Sequence, residues 1–236
     1  MKIVIEMKLI PESENLSDYL AETEIIDFSD SDIMAVSDRL NTQSVDKIDL
    51  MKRIYEFVRD EISHSANISE QIVTLKASEV LKEKHGICFA KSHLLAALYR
   101  LNGIPTGFCY QKLILDDETA PFLIFHGLCG VYVKETDIWV RLDPRGNKAG
   151  IDARFSLNPN DEKIAFVVRP EFGEEDFHTV YPNPAPEVIQ ALTENKTREE
   201  LWTNLPVKIY GKSSENDGNG NDGDNKSGWH NICERC

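Results

Sequence analysis

Cys88 lies at the start of an apolar helical pattern, directly after Gly86 and Ile87. At a helix start, unpaired backbone N–H groups and the positive end of the helix dipole favour the thiolate, which is the reactive form of cysteine. The N–H of Cys88 itself can also donate to an oxyanion. This position predicts a nucleophile, and the alternative is a buried cysteine that acts only as a small apolar side chain.

A base and a group to orient it follow further along the chain. His126 lies within one apolar stretch, and Asp143 ends the next. If the two stretches pair as antiparallel strands about a turn near Glu135-Thr136, His126 and Asp143 are opposite or diagonal neighbours. The carboxylate would then set the imidazole tautomer and stabilise the imidazolium. Taken singly, the alternatives are a core histidine and an aspartate that caps a turn.

The elements that must position these residues change in kind along the chain. Helical periodicity comes first, and short strands rich in aromatic and β-branched residues come second, which is typical of an α+β fold. The predicted helices are Asp30–Leu40, Ser44–Ile62, Ala77–Lys84, Cys88–Leu101, Pro186–Leu192 and one around Arg198–Leu201. The predicted strands are an opening one over residues 1–10, then Gly107–Leu115, Phe122–Lys134, Ile138–Asp143 and Ile164–Val168.

Composition excludes several classes of function. The chain has 236 residues and a net charge of −14, so it lacks the overall basic field that grips nucleic acid or anionic membranes. No stretch reaches the ~18 apolar residues of a membrane span, and no secretory signal opens the chain. We therefore expect a cytoplasmic protein with no nucleic-acid partner and no membrane partner. No phosphate-binding loop or zinc ligand set is apparent, so we expect no cofactor and no metal.

The other cysteines are expected to have simpler roles. Cys109 and Cys129 lie within predicted strands and are expected in the core. Cys233 and Cys236 form a CxxC pair inside a Gly/Asn/Ser-rich segment, residues 211–236, that we interpret as a disordered acidic tail in which the pair is incidental. The folded domain is then expected over residues 1–210.

The remaining histidines are not expected to act as the base. His93 lies about 140° around the helix from Cys88, on a different face. His64 and His178 lie in polar, loop-like surroundings and are predicted at the surface.

As a set, these motifs resemble the transglutaminase-like superfamily (transglutaminase core domain), in particular its small single-domain bacterial and archaeal members. The resemblance rests on Gly86-Ile87-Cys88, on the helix through Asn102-Gly103-Ile104-Pro105, on His126-Gly127, and on Trp139-Val140-Arg141-Leu142-Asp143. It covers about residues 70–150 clearly. It implies a papain-like core with the nucleophile at a helix start, packed on an antiparallel sheet.

The resemblance implies Cys88 as nucleophile, His126 as general base and acid, and Asp143 as the residue that orients His126. Gln111, on the strand expected to pass the site, is a candidate for lining the pocket or completing the oxyanion hole. The implied activity is acyl chemistry on an amide bond of a peptide, protein or small molecule through a thioester. Hydrolysis, as in an amidase or peptidase, is slightly favoured over transglutaminase-type transfer to an amine, and transfer from a thioester donor stays open. The alternative of another class is a catalytically silent module that binds a peptide or protein.

Overall fold

The computed structural model describes residues 8–116 and 120–209. The opening strand predicted over residues 1–10 falls mostly outside these residues, as does the predicted tail. The helices are α1 Ser31–Gln43, α2 Lys47–Glu56, α3 Ala77–Glu83, α4 Cys88–Leu101, α5 Pro186–Glu194 and α6 Arg198–Thr203. The strands are β1 Ile10–Pro11, β2 Ser63–His64, β3 His85–Gly86, β4 Thr106–Asp116, β5 Ala120–Val133, β6 Ile138–Leu142, β7 Glu175–Asp176 and β8 Thr179–Val180.

The predicted α+β class is confirmed, with helices preceding an antiparallel sheet of order β6-β5-β4-β7. Two short parallel pairs, β1 with β8 and β2 with β3, lie outside that sheet. Helix α4 packs against both α3 and β5, and all its residues from Cys88 to Arg100 are buried. A helix that is buried on every side is the centre of the fold, so the residue at its start lies inside the protein. Within the two described ranges, no helix has the length and hydrophobicity of a membrane span.

The helix predicted over Ser44–Ile62 begins later than expected, and its last turn is wider than an α-helical turn. Asp46 caps α2 by accepting a hydrogen bond from the N–H of Asp49 at 2.8 Å, whereas the Ser44 hydroxyl donates to the carbonyl of Leu40 at the end of α1. After Glu56 the chain continues as one π-helical turn, Phe57–Glu61. A wider turn inserted in a helix commonly accompanies functional sites, and here it leads directly into β2.

Lys91 joins the start of α4 to two other segments. Its side chain is fully buried, and Nζ donates to the carbonyls of Arg59 and Arg145 at 3.1 Å and to that of Ile62. Burial, with a contribution from Arg145, lowers the pKa of Lys91 to about 7. The lysine therefore connects the helix that begins at Cys88 with the turn before β2 and with the loop after β6.

We expect Lys91→Met to lower the free energy of unfolding by about 2–4 kcal/mol, because methionine keeps most of the apolar stem but leaves three carbonyls without their donor. Urea denaturation measures this change. Lys52→Met, at an exposed lysine of α2, is the matched control and should change stability by less than about 0.5 kcal/mol. Equal losses in the two variants would contradict the role given to Lys91.

Candidate active site

The start of α4 leaves its backbone N–H groups open. The helix begins at Cys88, and no side chain caps it, while the N–H of Lys91 already donates to the carbonyl of Ile87. The N–H of Cys88 occupies the first helical position, where no carbonyl of the helix can reach it. The Cys88 side chain is buried, with 4% of the residue exposed. The helix start predicted from the sequence is therefore found at the residue expected.

His126 and Asp143 lie side by side in the sheet. Strands β5 and β6 pair in the register Cys129 to Leu142, so Asp143 follows the last paired residue and reaches back toward His126. His126 Nε2 is 2.9 Å from Asp143 Oδ2, and both side chains are fully buried. The antiparallel pairing assumed from the sequence places these two residues together.

The Asp143 carboxylate has further donors. Its Oδ1 accepts from the N–H of Arg145, and its Oδ2 also accepts from the N–H of Ala165, both at 3.0 Å. Burial is the largest single influence on Asp143 and raises its pKa, but His126 and the two N–H donors together outweigh burial and the pKa is lowered. The aspartate therefore stays ionised inside the protein.

The Nδ1 edge of the His126 ring, away from the nitrogen that contacts Asp143, is turned to Cys88. Nδ1 makes no conventional hydrogen bond among the described residues, and Cys88 interacts with the ring in addition to Asp143. Burial is again the largest influence and lowers the pKa of His126, but Asp143 and then Cys88 reverse the effect and raise it. The imidazole can thus hold a proton between the thiol and the carboxylate.

Residues Ile164–Val168 do not form the predicted strand. They run as irregular chain over the imidazole, with the Phe166 ring edge-on to His126 at a centroid distance of 5.0 Å. The same stretch supplies the N–H of Ala165 to Asp143. Phe166 therefore covers the imidazole, and the backbone polar groups of Ala165 and Phe166 pair with the side chains of Asp143 and Gln111.

Gln111 lies directly opposite His126 in the pairing of β4 with β5 and is fully buried. Its Nε2 donates to Asp176 Oδ1 at 2.8 Å and to the carbonyl of Phe166 at 3.2 Å. Asp176 is in turn paired with Arg141. The structure thus places Gln111 next to the base with its amide N–H groups in use, and its role in lining the pocket or in the oxyanion hole stays a prediction.

Gly127 sets how closely α4 approaches β5. A Cβ at this position would lie 2.4 Å from Cδ1 of Phe89, which is far closer than side chains pack. Because Phe89 follows Cys88 and Gly127 follows His126, the absent side chain lets the nucleophile and the base approach each other. This is the physical reason for a glycine after the histidine.

His64 lies in the interior, where its polar sequence neighbours do not predict it. It was predicted at the surface, but it is 2% exposed, whereas His178 is exposed as predicted. The polar residues Asp60-Glu61 before it and Ser65 after it are typical of a surface segment and therefore predict exposure. The signal that could have found it is the apolar stripe of the preceding segment, which extends through Ile62 and carries the chain into the interior.

The other residues predicted to have structural roles lie as expected. His93 Nδ1 is 2.7 Å from the carbonyl of Leu75, away from the thiol, and Cys109 and Cys129 are buried free thiols. Among the residues that the structure describes, no group of three or more His, Cys, Asp or Glu side chains is arranged to hold a metal ion.

The fold and the site together define a papain-like arrangement, with cysteine at a helix start and histidine and aspartate on adjacent strands. Residues 35–144 match the family model of the transglutaminase-like superfamily, and this segment contains Cys88, His126 and Asp143. The superfamily predicted from the sequence is confirmed for residues 35–144, which form a transglutaminase-like domain. No curated protein matches the sequence.

Solved structures with a similar fold are distant in sequence. A candidate cysteine protease from Cytophaga hutchinsonii is 14% identical, with a TM-score of 0.46 over 59% of this chain and 46% of that chain. Red sea bream transglutaminase is 14% identical, with a TM-score of 0.39 over 54% of this chain and 28% of that chain. A candidate protease from Parabacteroides distasonis is 13% identical, with a TM-score of 0.35 over 60% and 30%. The chain spans less than half the length of each of these proteins.

We expect Gly127→Ala to lower the free energy of unfolding by about 1–3 kcal/mol, the usual range for overpacking a filled core. The added methyl group forces Phe89 and the start of α4 away from β5. The alkylation rate of Cys88 should fall with it, because the thiol moves away from His126. Lys82→Ala, at an exposed position of α3, is the control and should change neither stability nor reactivity appreciably; a G127A protein as stable and as reactive as the wild type would contradict the role given to Gly127.

Asp143→Asn should lower the pKa of His126 below its value in the wild type, because burial then acts on the imidazole without an anion beside it. An NMR titration of the His126 ring measures this directly. Asp152→Asn, at an exposed aspartate paired with Arg154, is the control and should leave the titration unchanged.

Asp143→Asn should also alter how the stability of the protein depends on pH. The raised pKa of His126 contributes stability that is present below its unfolded pKa and is lost as pH rises through the folded one. The lowered pKa of Asp143 contributes stability that is present above its unfolded pKa and is lost as pH falls through the folded one. In D143N the contribution of Asp143 is absent, so below about pH 4 its unfolding free energy should change less with pH than that of the wild type, whereas the lowered pKa of His126 adds a loss of stability as pH falls below about 6.5. Profiles of the same shape for the two proteins would contradict the assignment.

Proposed function

We propose that the protein is a cysteine-dependent enzyme that acts on an amide bond of a peptide, a protein or a small molecule through a thioester. One observation carries the proposal, namely a cysteine at an uncapped helix start, facing a buried imidazole whose far nitrogen is held by an ionised aspartate. The superfamily match supports acyl chemistry in general. We assign Cys88 as the nucleophile, His126 as the general acid and base, and Asp143 as the residue that orients His126.

In the first half-reaction, Cys88 Sγ bonds to the carbonyl carbon of the substrate and the carbonyl π electrons move to oxygen. The carbonyl then re-forms as the C–N bond breaks. The proton of His126 passes to the departing nitrogen, so the first product is an amine and the acyl group remains on Cys88 as a thioester. Asp143 stabilises the imidazolium before this transfer and keeps the ring oriented.

In the second half-reaction, His126 takes a proton from the incoming nucleophile as that nucleophile bonds to the thioester carbon. Water gives a carboxylic acid, whereas an amine gives a new amide. In both cases the bond between the acyl carbon and Cys88 Sγ breaks, and the free cysteine is restored. We propose hydrolysis as the principal outcome, because water at its bulk concentration competes with an amine unless a site excludes it.

Labelling with an electrophilic probe tests the proposal without knowledge of the substrate. We expect iodoacetamide at about pH 6 to modify Cys88 faster than it modifies glutathione, because an adjacent imidazole activates the sulfur as a nucleophile. Peptide mapping by mass spectrometry locates the adduct. Cys88→Ser should abolish the fast reaction, while Cys109→Ser and Cys129→Ser, which remove buried thiols of the sheet, should retain it.

A panel of amide and ester donors then separates the outcomes. Release of the amine, with an acyl adduct trapped on Cys88, supports the enzyme, and addition of a second amine distinguishes hydrolysis from transfer by the product formed. A Cys88 that reacts no faster than glutathione and accepts no acyl group would contradict the proposal, and the fold would then be better explained as a binding module for a peptide or protein.

A further inference from the structure

His64 carries a buried N–H group that lacks an acceptor. Its Nδ1 accepts a hydrogen bond from the N–H of Ala66 at 3.3 Å. A neutral imidazole that accepts at one nitrogen carries its proton on the other, so Nε2 is a donor. Within residues 8–116 and 120–209, Nε2 has no hydrogen-bond partner. Because buried donors are almost always paired, this group calls for a functional explanation.

The surroundings of His64 keep it neutral. Burial is the main cause that lowers its pKa well below the usual range, and the positive charges of Arg145, Lys91 and His126 act in the same direction. A neutral ring holds its Nε2 proton firmly and does not compete with His126 for the proton that the reaction transfers. It is therefore suited to donate a hydrogen bond and unsuited to act as a second base.

The register of the short parallel pair places His64 close in the fold to the residues that precede the nucleophile. His64 is opposite Gly86 in the pairing of β2 with β3, and Gly86 is two residues before Cys88. Paired residues of neighbouring strands project to the same face. On that face, a Cβ at Gly86 would lie 3.1 Å from Ala90 Cβ and 3.5 Å from the Lys91 nitrogen, so the face is turned to the first turn of α4.

We propose that the Nε2–H of His64 donates a hydrogen bond to the carbonyl oxygen of the substrate and forms the oxyanion hole together with the backbone N–H of Cys88. His64 is then a catalytic residue of the proposed thioester chemistry, on which this inference rests. As Cys88 Sγ bonds to the carbonyl carbon, the negative charge on oxygen meets two N–H donors and no proton leaves either of them. When the carbonyl re-forms, the negative charge leaves the oxygen and its hydrogen bonds to the two donors weaken.

The competing candidate for this role has its donors in use. Gln111 Nε2 already donates to Asp176 and to the carbonyl of Phe166, so each bond to an oxyanion would require breaking a bond to one of these partners. His64 gives up nothing when it donates. A donor that is fixed in place before the substrate arrives and needs no rearrangement is what stabilises an oxyanion most.

Two variants separate the donor from the rest of the side chain. In His64→Asn, the amide oxygen takes the position of Nδ1 and keeps the bond to Ala66, but no donor reaches the position of Nε2. In His64→Gln, the amide nitrogen reaches the position of Nε2, and the bond to Ala66 is lost. His178→Asn and His178→Gln, at the exposed histidine, are matched controls.

The experiment compares two reactions of Cys88 in the full chain. Acetylation by p-nitrophenyl acetate passes through an oxyanion, whereas alkylation by iodoacetamide at a saturated carbon does not. We expect H64N to lower the acetylation rate about 100-fold, as loss of an oxyanion-hole donor does, while its alkylation rate stays at the wild-type level. H64Q should retain most of the acetylation rate, and both controls should match the wild type.

Each other outcome overturns the inference. If H64N acetylates as fast as the wild type, His64 is not a donor to the oxyanion. If acetylation and alkylation fall together, or if H64Q is the more damaged variant, His64 acts only through the packing around Ala66, and thermal unfolding of both variants would show that loss. If the wild type itself is not acetylated at Cys88, the proposed function fails as well, which distinguishes the two failures.

Discussion

The structure of this protein depends on keeping one carboxylate ionised in its interior. Moving a carboxylate out of water costs several kcal/mol unless its oxygens are paired. For Asp143 that pairing comes from three parts of the chain: His126 from the neighbouring strand, the N–H of Arg145 from the following loop, and the N–H of Ala165 from the irregular segment over the site. All three parts must be in place together. The need to pair one carboxylate therefore determines how the sheet, the following loop and the irregular segment over the site are arranged.

The helix start is the second part of the same arrangement. Cys88 gains from unpaired N–H groups only if nothing caps them, and an uncapped helix end is tolerated in the interior only where a ligand or a reacting group can use it. Lys91 holds that end against the turn before β2 and the loop that follows Asp143 through its bonds to carbonyls, and Gly127 lets it approach the strand that carries the base through its missing side chain. Stability and reactivity are thus set by the same contacts, and changes that loosen one are expected to alter the other.

Local patterns predicted much of this correctly because the physical causes are local. Helix α4 was predicted at its observed bounds because a glycine precedes it and Asn102-Gly103 ends its apolar pattern. Strands β4, β5 and β6 were predicted to within two residues because β-branched runs and polar breaks mark them, whereas the two-residue strand β7 of the same sheet was not predicted. The strand predicted over Ile164–Val168 was wrong, because an apolar run of five residues is compatible both with a strand and with an irregular segment that covers a buried site. The contacts with the ion pair beneath it decide between the two.

The sequence by itself determined the order of elements, the α+β class, and the pairing of His126 with Asp143, because strand pairing across a short turn depends on residues close in the chain. Only the tertiary structure decided which polar groups are buried and what satisfies them. His64 has polar neighbours in the sequence, yet it lies in the interior, because β2 pairs with a strand 22 residues further along. Burial is a property of contacts between distant segments, so the apolar stripe through Ile62 indicates it without fixing which partner strand covers the histidine.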